Sequence, residues 1–299
     1  MRKFVVPELP EPFPEPFVRM LHELLARGTS PRAQRDDRRR ARRAVLAQTG
    51  TFVGHRRYVR GDDPRRIDWA AFARSGELFV KQHADDDRRT VTLLLETAPR
   101  MSVGVPPRRL AALRLAAVLG GLALRRVDGV QVLAPGTGTA AVASFVGSGD
   151  LGALLRHLRA LPVAVATPRE TLALCEPRLA TGAVHWLSDF AEPEAAAAIL
   201  RALRRRGVPV HGWLPSLAID HEFAERGYLE VADPDTGRAL VVPMDGTLLL
   251  AVRHELAQLR LRQDRLFAQV GGRLTRWPAP ARDEWRADAY ESILAEVAP

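Results

Sequence analysis

The sequence is poor in residue types that mark several classes of protein. Cys175 is its single cysteine, which excludes an intramolecular disulfide and a cysteine-rich metal site. Lysine occurs only twice among 44 basic residues, and aromatic residues make up only 6% of the chain. Because Cys175 has no second cysteine to pair with, it is predicted to be a small structural residue on a helix. The scarcity of aromatic residues also disfavours nucleic-acid binding through stacked rings.

Long apolar segments are scarce as well. The first seven residues lack the apolar core of a signal peptide. The most apolar helical stretch, residues 110–124, is too short to span a bilayer and is interrupted by Arg114. We therefore expect a cytoplasmic protein without a membrane span.

Motifs that carry catalysis are missing or incomplete. The sequence has no Walker loop, and His221-Glu222 is not followed by the second histidine of a zinc protease. Ser148 and Ser188 lack the strained turn of a hydrolase nucleophile. No predicted helix follows Gly136-Thr137-Gly138, as a dinucleotide site would require. The sequence consequently predicts no catalytic residues and a protein that is not an enzyme.

Positive charge is concentrated near the start of the chain. The net charge is +9, and residues 31–66 contain twelve Arg and four Asp, a local excess of eight positive charges. Ser30 and Pro31 predict the start of a very polar helix over residues 31–47. Its arginines are interpreted as a solvated face, with a nucleic-acid or ATPase contact as the alternative.

The length of 299 residues and the hydrophobic content of 46% predict a globular chain with one large domain plus extensions. Apolar segments that alternate with helical patterns lie at residues 90–95, 127–133, 183–187 and 208–214. This alternation is typical of an α/β fold with a doubly wound, mostly parallel sheet. We predict an N-terminal helical and strand extension over residues 1–89. Residues 90–299 are predicted to form the α/β domain, with a C-terminal hairpin and helices.

The most distinctive segment lies between residues 57 and 74. It reads Arg57-Tyr58-Val59-Arg60-Gly61-Asp62-Asp63-Pro64-Arg65-Arg66-Ile67-Asp68-Trp69, and Ala73-Arg74 follows. Asp63 before Pro64 predicts the N-cap of a helix over residues 65–72, which Gly76 is predicted to end. The predicted signature and interaction residues are Arg57, Tyr58, Gly61, Asp62, Asp63, Arg65, Asp68, Trp69 and Arg74.

Charges of both signs are dense in this signature segment. Its three aspartates, Asp62, Asp63 and Asp68, are interspersed with Arg57, Arg60, Arg65, Arg66 and Arg74. Planar guanidinium groups bind carboxylates bidentately, so the segment predicts an ion-pair network that joins it to its neighbours. The alternative interpretation is a docking surface for a partner.

The signature resembles the bacterial domain-of-unknown-function family fifty-eight. The resemblance lies in the run Arg-Tyr-x-x-Gly-Asp-Asp-x-Arg-x-Ile-Asp-Trp and in the strand and acidic patch, Asp85 to Asp87, that follow it. It covers residue 54 to the C-terminus and implies a von Willebrand factor A-like domain, often found beside a MoxR-type AAA+ ATPase. The implied function is that of an adaptor or interaction protein that helps this ATPase remodel or mature a client protein. A basic nucleic-acid-binding protein is the alternative.

Von Willebrand A-like domains often hold a divalent metal at the end of the first strand, through the pattern Asp-x-Ser-x-Ser. This chain has Ala98 where an oxygen ligand is needed, and Arg100 places a cation where a hydroxyl ligand would lie. The remaining candidate ligands are Glu96, Asp189 and a threonine, either Thr167 or Thr171. We therefore expect a degenerate site without a metal or another cofactor, in which Arg100 pairs with Asp189 in place of the metal.

Overall fold

The structure is a computed structural model. It describes residues 9–27, 52–59, 62, 67–83, 90–125, 129–175, 182–217, 220, 225–280 and 287–297. The helices within these residues are α1 Glu15–Arg27, α2 Trp69–Ser75, α3 Arg108–Arg125, α4 Leu151–Ala160, α5 Pro168–Cys175, α6 Pro193–Arg205, α7 Gly246–Gln269 and α8 Asp288–Val297. The strands are β1 Phe52–Arg57, β2 Phe79–His83, β3 Thr90–Leu95, β4 Gly129–Leu133, β5 Val142–Val146, β6 Val184–Leu187, β7 Val210–Ser216, β8 Gly227–Ala232, β9 Ala239–Met244 and β10 Arg273–Pro278. Short 3₁₀ turns lie at Pro99–Ser102, Gly138–Ala141 and Ser148–Asp150.

Six strands form the central sheet, in the order β10-β7-β6-β3-β4-β5. β5 pairs antiparallel with β4, and the other neighbouring strands are parallel. From β3 the chain continues to β4 on one side and later returns to β6 on the other side, so the strand order reverses between β3 and β6. The prediction of an α/β fold with a mostly parallel sheet is confirmed.

The side chains of β3 alternate between two hydrophobic cores. Leu93 and Leu95 face a core that includes α1, α3, α4 and α8, whereas Leu94 faces a core that includes α5, α6 and α7. Helices therefore cover both faces of the sheet, which explains why the central strand β3 ends in a continuous apolar run. Cys175 ends α5 in the second core at 1% exposure, which agrees with its predicted structural role.

The N-terminal helix α1 packs into the first core. Phe17, Leu21 and Leu24 on α1 are fully buried there, against α3. Arg114 of α3 donates from its Nε to the Pro12 carbonyl at 3.1 Å, and its guanidinium lies 5.9 Å from the Phe17 ring centroid. The predicted domain boundary at residue 89 stays a prediction. Although α1 lies before this boundary in the sequence, it packs into the core of the α/β domain that follows the boundary.

Two smaller antiparallel sheets flank the central one. β1 pairs with β2 beside the signature segment, and β8 pairs with β9 as the expected hairpin. The predicted basic helix at residues 31–47 lies outside the described residues, as do Gly61, Asp63 and Arg65 of the signature. Within the described ranges, no helix is both long enough and apolar enough to cross a membrane.

Candidate functional site

The candidate site lies at the carboxyl ends of β3 and β6, where the strand order of the central sheet reverses. Open α/β sheets bind ligands in the crevice at such a switch point. Glu96 follows β3, and its amide donates to the Leu187 carbonyl of β6 at 3.0 Å. Ser188 and Asp189 follow β6. The sheet therefore brings together acidic residues that are distant in the sequence.

Three carboxylates bind Arg100, which lies in the 3₁₀ turn after β3. Its Nε donates to the two oxygens of Asp189 at 3.3 and 3.2 Å. Its Nη1 donates to Asp235 Oδ2 at 2.6 Å, and its backbone amide donates to Asp235 Oδ1 at 2.9 Å. Its Nη2 donates to Glu96. The expected pair of Arg100 with Asp189 is present, and Asp235 adds a partner from the β8–β9 hairpin.

The surroundings of Arg100 favour its charged form. Burial opposes the charge, but the nearby carboxylates of Asp189 and Asp235 outweigh it and raise the pKa of Arg100. The planar guanidinium has five N–H donors, so it can bind several carboxylates at once. Arg100 is consequently a permanent cation at the centre of the site.

The ligands present here do not suit a divalent metal. Ala98, at 2% exposure, offers no side-chain oxygen. The carboxylates of Glu96 and Asp189 are already bound to Arg100. Magnesium requires several oxygen ligands in a near-octahedral arrangement, which a neighbouring guanidinium disrupts. The residues of this site therefore do not fit the metal that the family resemblance implies.

The loop after β6 aims Asp189 at Arg100. Ser188 donates its hydroxyl to Glu96 and accepts the Phe190 amide at 2.9 Å. Gln263 of α7 donates from its Nε2 to the carbonyls of Asp189 and Phe190 at 3.1 and 3.0 Å. These bonds hold a tight turn directly after Asp189.

Phe190 completes this turn in an uncommon backbone conformation. Its φ is 48°, in the left-handed region that bulky residues rarely adopt. Its ring packs edge-on against Trp186 at 5.2 Å and Phe267 at 5.1 Å between centroids. A residue in this region costs about 1–3 kcal/mol, which the aromatic packing and the bonds of the loop offset.

A cavity of about 230 Å³ opens beside Arg100, between the strand ends and the helices α5 and α6. Its floor is apolar and buried: Leu94, Trp186, Phe190 and Ile199. One wall is polar: Glu96, Arg100, Ser188 and Asp235. The cavity therefore combines a hydrophobic interior with charged groups on one side.

The two candidate threonines stabilise the start of α5. Thr171 lines the cavity and donates its hydroxyl to the Thr167 carbonyl at 3.1 Å. The amide and hydroxyl of Thr167 donate to Glu170 at 2.7 and 2.8 Å, and the Glu170 amide donates back to Thr167 Oγ1 at 3.2 Å. This reciprocal arrangement is a capping box. The hydroxyl groups that could have completed a metal site serve the helix instead.

Asp62 of the signature is bound within the chain. Arg56 donates to its two oxygens at 2.7 and 2.7 Å, and the Val59 amide donates to it at 2.8 Å. Arg57 pairs with Glu77 at 2.7 Å. Both contacts are ion pairs, as expected for the signature, but neither joins one of its aspartates to an arginine of the predicted set: Arg56 was not in that set, and Arg57 binds Glu77.

Asp68 of the signature caps α2. Its Oδ1 accepts the amides of Ala70 and Ala71, each at 3.0 Å, and its Oδ2 lies 2.8 Å from His55 Nε2. Asp68 is 7% exposed, so these partners satisfy a buried carboxylate. No local pattern in the sequence indicated that His55 would be one of them.

The predicted start of the helix over residues 65–72 is wrong, whereas residues 69–72 are helical as predicted, and the proposed N-cap Asp63 lies outside the described residues. Ile67 forms an antiparallel bridge with Val80, and Asp68 is extended at φ −82° and ψ 91°, so α2 begins at Trp69. The predicted end is confirmed. Gly76 adopts the left-handed conformation at φ 69°, and its amide donates to the Phe72 carbonyl at 2.8 Å.

The signature presents apolar side chains to solvent. Trp69 is 61% exposed and Phe72 is 39% exposed, and Leu78, just beyond the signature, is 36% exposed. The Trp69 and Phe72 rings meet edge to face, 6.2 Å apart. Arg74 is also exposed, and Tyr58 is half-buried. In the described part of the signature, the carboxylates of Asp62 and Asp68 are bound within the chain, whereas the aromatic pair of Trp69 and Phe72 is exposed.

Asp235 is a site residue that the sequence-based reasoning missed. It lies in the turn between β8 and β9, where its amide donates to Asp233 at 2.9 Å. The density of aspartate in the turn at residues 233–237 was a usable signal. Nothing local indicated that this turn docks on Arg100.

A family match covers more than half of the chain. The family described as Protein of unknown function DUF58 matches residues 54–265. The chain belongs to this family. The DUF58 match includes the signature, the Arg100 network and the cavity, whereas α1, β10 and α8 lie outside it.

Solved structures with low sequence identity resemble this DUF58 chain over 70% of its length. Conserved hypothetical protein BatB from Bacteroides thetaiotaomicron is 15% identical, with 70% of this chain and 99% of that chain covered and a TM-score of 0.41. An aerotolerance-related membrane protein from Bacteroides fragilis is 15% identical, with coverage of 70% and 100% and a TM-score of 0.37. Pilus adhesin SpaC from Lactobacillus rhamnosus GG is 12% identical, with coverage of 70% and 30% and a TM-score of 0.36. No curated protein matches the sequence.

Proposed function

We propose that this chain is a non-enzymatic adaptor with a von Willebrand factor A-like domain, which works with a MoxR-type AAA+ ATPase on a client protein. The observation that carries this proposal is the 61% exposure of Trp69, in a segment whose described carboxylates are bound within the chain. Exposed apolar side chains rimmed by polar residues mark protein–protein contacts. The mostly parallel sheet with helices on both faces supports the von Willebrand A-like assignment.

The chemistry of the site at β3 and β6 favours binding over catalysis. Glu96 has one oxygen bonded to Arg100 and the other bonded to Ser188. The base bonded to Ser188 is therefore a carboxylate that Arg100 already holds, and among the described residues no histidine is bonded to Ser188, so the set expected for an activated nucleophile is incomplete.

The composition of the exposed surface indicates the chemistry of its partner. Trp69 and Phe72 supply apolar contact area, and the exposed guanidinium groups of Arg57 and Arg74 lie on the same segment. Trp and Arg are enriched among the residues that dominate binding energy in interfaces. The matching surface of the ATPase is expected to be apolar at its centre with acidic groups around it.

Binding of the purified chain to a MoxR-type ATPase from the same genome tests this proposal, in pull-down and in ATPase rate. We expect Trp69→Ser to weaken binding at least roughly tenfold, because a buried aromatic anchor contributes about 2 kcal/mol or more. Its melting temperature should stay unchanged, because the side chain is exposed. Tyr228→Ser is the matched control: Tyr228 is 82% exposed on β8, outside the signature, and should bind normally.

Asp68→Ala separates docking from folding. The variant removes the N-cap of α2 and the partner of His55, so we expect a loss of about 1–3 kcal/mol of stability. A variant that folds normally yet fails to bind the ATPase would assign the carboxylate a direct role in docking. If Trp69→Ser and Asp68→Ala are both stable and both bind like the wild type, the signature is not the docking surface.

A basic nucleic-acid-binding protein is the second candidate, supported by the excess of eight positive charges in residues 31–66. Such binding falls steeply with salt, because neutralised phosphates release counterions. Micromolar or tighter duplex binding at physiological salt would favour this candidate over the adaptor. The binding should then disappear when Arg38, Arg39 and Arg40 are changed to Glu.

A further inference from the structure

The cavity beside Arg100 has an excess of negative charge. Three carboxylates line it, those of Glu96, Glu192 and Asp235, against the single guanidinium of Arg100 among its described lining residues. The formal charge of the lining is therefore −2. Asp189 adds a further carboxylate directly behind Arg100. Charge complementarity consequently favours a cationic occupant.

The size of the cavity suits one side chain. Its volume of about 230 Å³ is below the range of roughly 300–1,000 Å³ that holds drug-sized ligands. Its floor includes Trp186 at 6% exposure and Ile199 at 4%, so an aliphatic stem would bury apolar surface there. Val165 lines it at 55% exposure, so it is open to an occupant that enters from solvent.

Two helices begin at the cavity, and a helix N-terminus by itself favours an anion. Glu170 already satisfies the start of α5, because the amide and hydroxyl of Thr167 both donate to it. These two bonds lower the pKa of Glu170 and keep it ionised. Glu192 stands directly before Pro193, the first residue of α6. A carboxylate therefore lies at each helix start, and an added anion would meet like charge.

We propose that this cavity binds the basic side chain of a bound polypeptide, with the aliphatic stem over Trp186 and Ile199 and the cationic head at Glu192, the exposed carboxylate of the lining. Long basic side chains combine an apolar stem with a charged end, which matches the apolar floor and acidic wall. The proposal concerns a different surface from the signature. If the ATPase does not bind, the proposal for the cavity is therefore unaffected. If the cavity does not bind basic side chains, the adaptor proposal is likewise unaffected.

Isoleucine methyl NMR reports directly on this cavity. The chain has only four isoleucines, Ile67, Ile199, Ile219 and Ile293. Ile199 lies in the cavity floor, and Ile293 is fully buried on α8 in the other core. The probes are acetylated and amidated pentapeptides of the form Ala-Ala-X-Ala-Ala, in which X is lysine, norleucine or glutamate.

We expect the lysine peptide to shift the Ile199 methyl signal and to leave that of Ile293 in place. Its affinity should exceed that of the norleucine peptide by about tenfold, because the apolar stem is shared and the charge is not. The glutamate peptide should produce no shift. Raising the salt concentration should weaken the lysine peptide selectively. n-Butylammonium, the isolated side-chain fragment, should bind more weakly than the lysine peptide.

Matched variants on α6 test the location. Ala195 lines the cavity and Ala198 is exposed on the same helix, so Ala195→Phe should abolish binding whereas Ala198→Phe should retain it. Glu192→Gln should weaken the lysine peptide severalfold, and Glu194→Gln, an exposed change that does not line the cavity, should not. Both glutamates are exposed, so neither variant is expected to affect folding.

Several results would overturn the proposal. Equal affinity for the lysine and norleucine peptides would remove the role of charge, and a preference for glutamate would reverse it. Ile199 shifts that persist in Ala195→Phe would place binding outside the cavity. Binding of n-butylammonium as tight as that of the lysine peptide would make this a site for small free amines instead of a polypeptide.

Discussion

At the scale of single residues, Arg100 determines the charge and the ligand chemistry of the site. Its three carboxylate partners come from the end of β3, the end of β6 and the β8–β9 turn. A lysine ammonium is a compact charge that could not reach these groups in the same fixed, planar geometry. Arg100 therefore both neutralises part of the site and ties the hairpin to the central sheet.

The first prediction concerns metal binding. Millimolar Mg²⁺ or Mn²⁺ should leave the melting temperature of the wild type unchanged, because Arg100 already binds Glu96 and Asp189. The double variant Ala98→Ser, Arg100→Ser supplies hydroxyl ligands and removes the competing cation. Its melting temperature should rise with Mg²⁺, and adding Asp189→Ala should abolish that rise. An upward shift in the wild type that is lost in Asp189→Ala would mean that Arg100 does not exclude the ion.

At the scale of elements, β6 and β7 carry a pair of neighbouring histidines, of which His185 is buried and His211 is half-buried. Trp213 Nε1 donates to Nδ1 of His185 at 2.9 Å, and the His211 ring stacks on Trp213 at 4.2 Å. Burial lowers the pKa of His185 to about 4. Burial, together with the charges of His185 and Arg273, lowers the pKa of His211 to about 3. Protonation of His185 at Nδ1 would also break its bond with Trp213.

This pair predicts a loss of stability in mild acid. In the unfolded chain both histidines take up protons near pH 6.5, whereas in the folded chain His185 and His211 do so only near pH 4 and pH 3. Their contribution is therefore complete above pH 6.5 and falls as the pH drops towards those values. We expect a loss of roughly 1–2 kcal/mol for each histidine between pH 7 and pH 5, measured by chemical denaturation. The variant His185→Gln keeps an acceptor for Trp213 but does not titrate, so its free energy of unfolding should fall less steeply between pH 7 and pH 5. A fall as steep as that of the wild type would contradict this account.

Elements with strong sequence patterns were predictable. The apolar run at residues 90–95 coincides with β3, and the turn at residues 233–237 joins β8 to β9 as expected. These signals are local, because burial on both faces or a tight turn imposes its own residue pattern. The pairing of Arg100 with Asp189 was expected on a different ground, the resemblance to von Willebrand A-like domains, which often hold a metal at this position.

The start of α2 and the role of Asp235 were not predicted correctly, because both depend on contacts between segments that are distant in the sequence. Asp63 before Pro64 has the local chemistry of an N-cap, but the bridge between Ile67 and Val80 fixes the start of α2 after Asp68. Asp235 is 135 residues from Arg100 in the sequence, and no local pattern reports where a hairpin docks. Tertiary contacts of this kind override local propensity, and a single sequence does not reveal them.

At the scale of the whole molecule, segments from both ends of the chain close the first core. Phe17 of α1 lies 6.1 Å from Tyr290 of α8, and Tyr290 lies 5.2 Å from Trp277 of β10, measured between ring centroids. All three rings are almost fully buried. They also lie outside the family match at residues 54–265, so the matched region shares its core with flanking segments.

A matched pair of substitutions tests whether α1 belongs to the same cooperative unit as the sheet. Leu24 on α1 is fully buried, and Leu250 on α7 is 66% exposed. We expect Leu24→Ala to reduce the free energy of unfolding by about 2–5 kcal/mol, because it leaves a cavity in the core. Leu250→Ala should change it by no more than about 0.5 kcal/mol.

Comparing the unfolding midpoints measured by two probes distinguishes a shared core from a separate N-terminal extension. Three of the five tryptophans, Trp186, Trp213 and Trp277, lie on β6, β7 and β10, so in a Trp69→Phe background tryptophan fluorescence reports largely on the sheet and hardly on α1. If α1 unfolds together with the sheet, Leu24→Ala will lower the fluorescence midpoint as much as the far-ultraviolet circular dichroism midpoint. If the extension over residues 1–89 were independent, the fluorescence midpoint would stay at its wild-type value while α1 alone was lost. Because Leu24 and Tyr290 belong to one core cluster, we expect the two midpoints to move together.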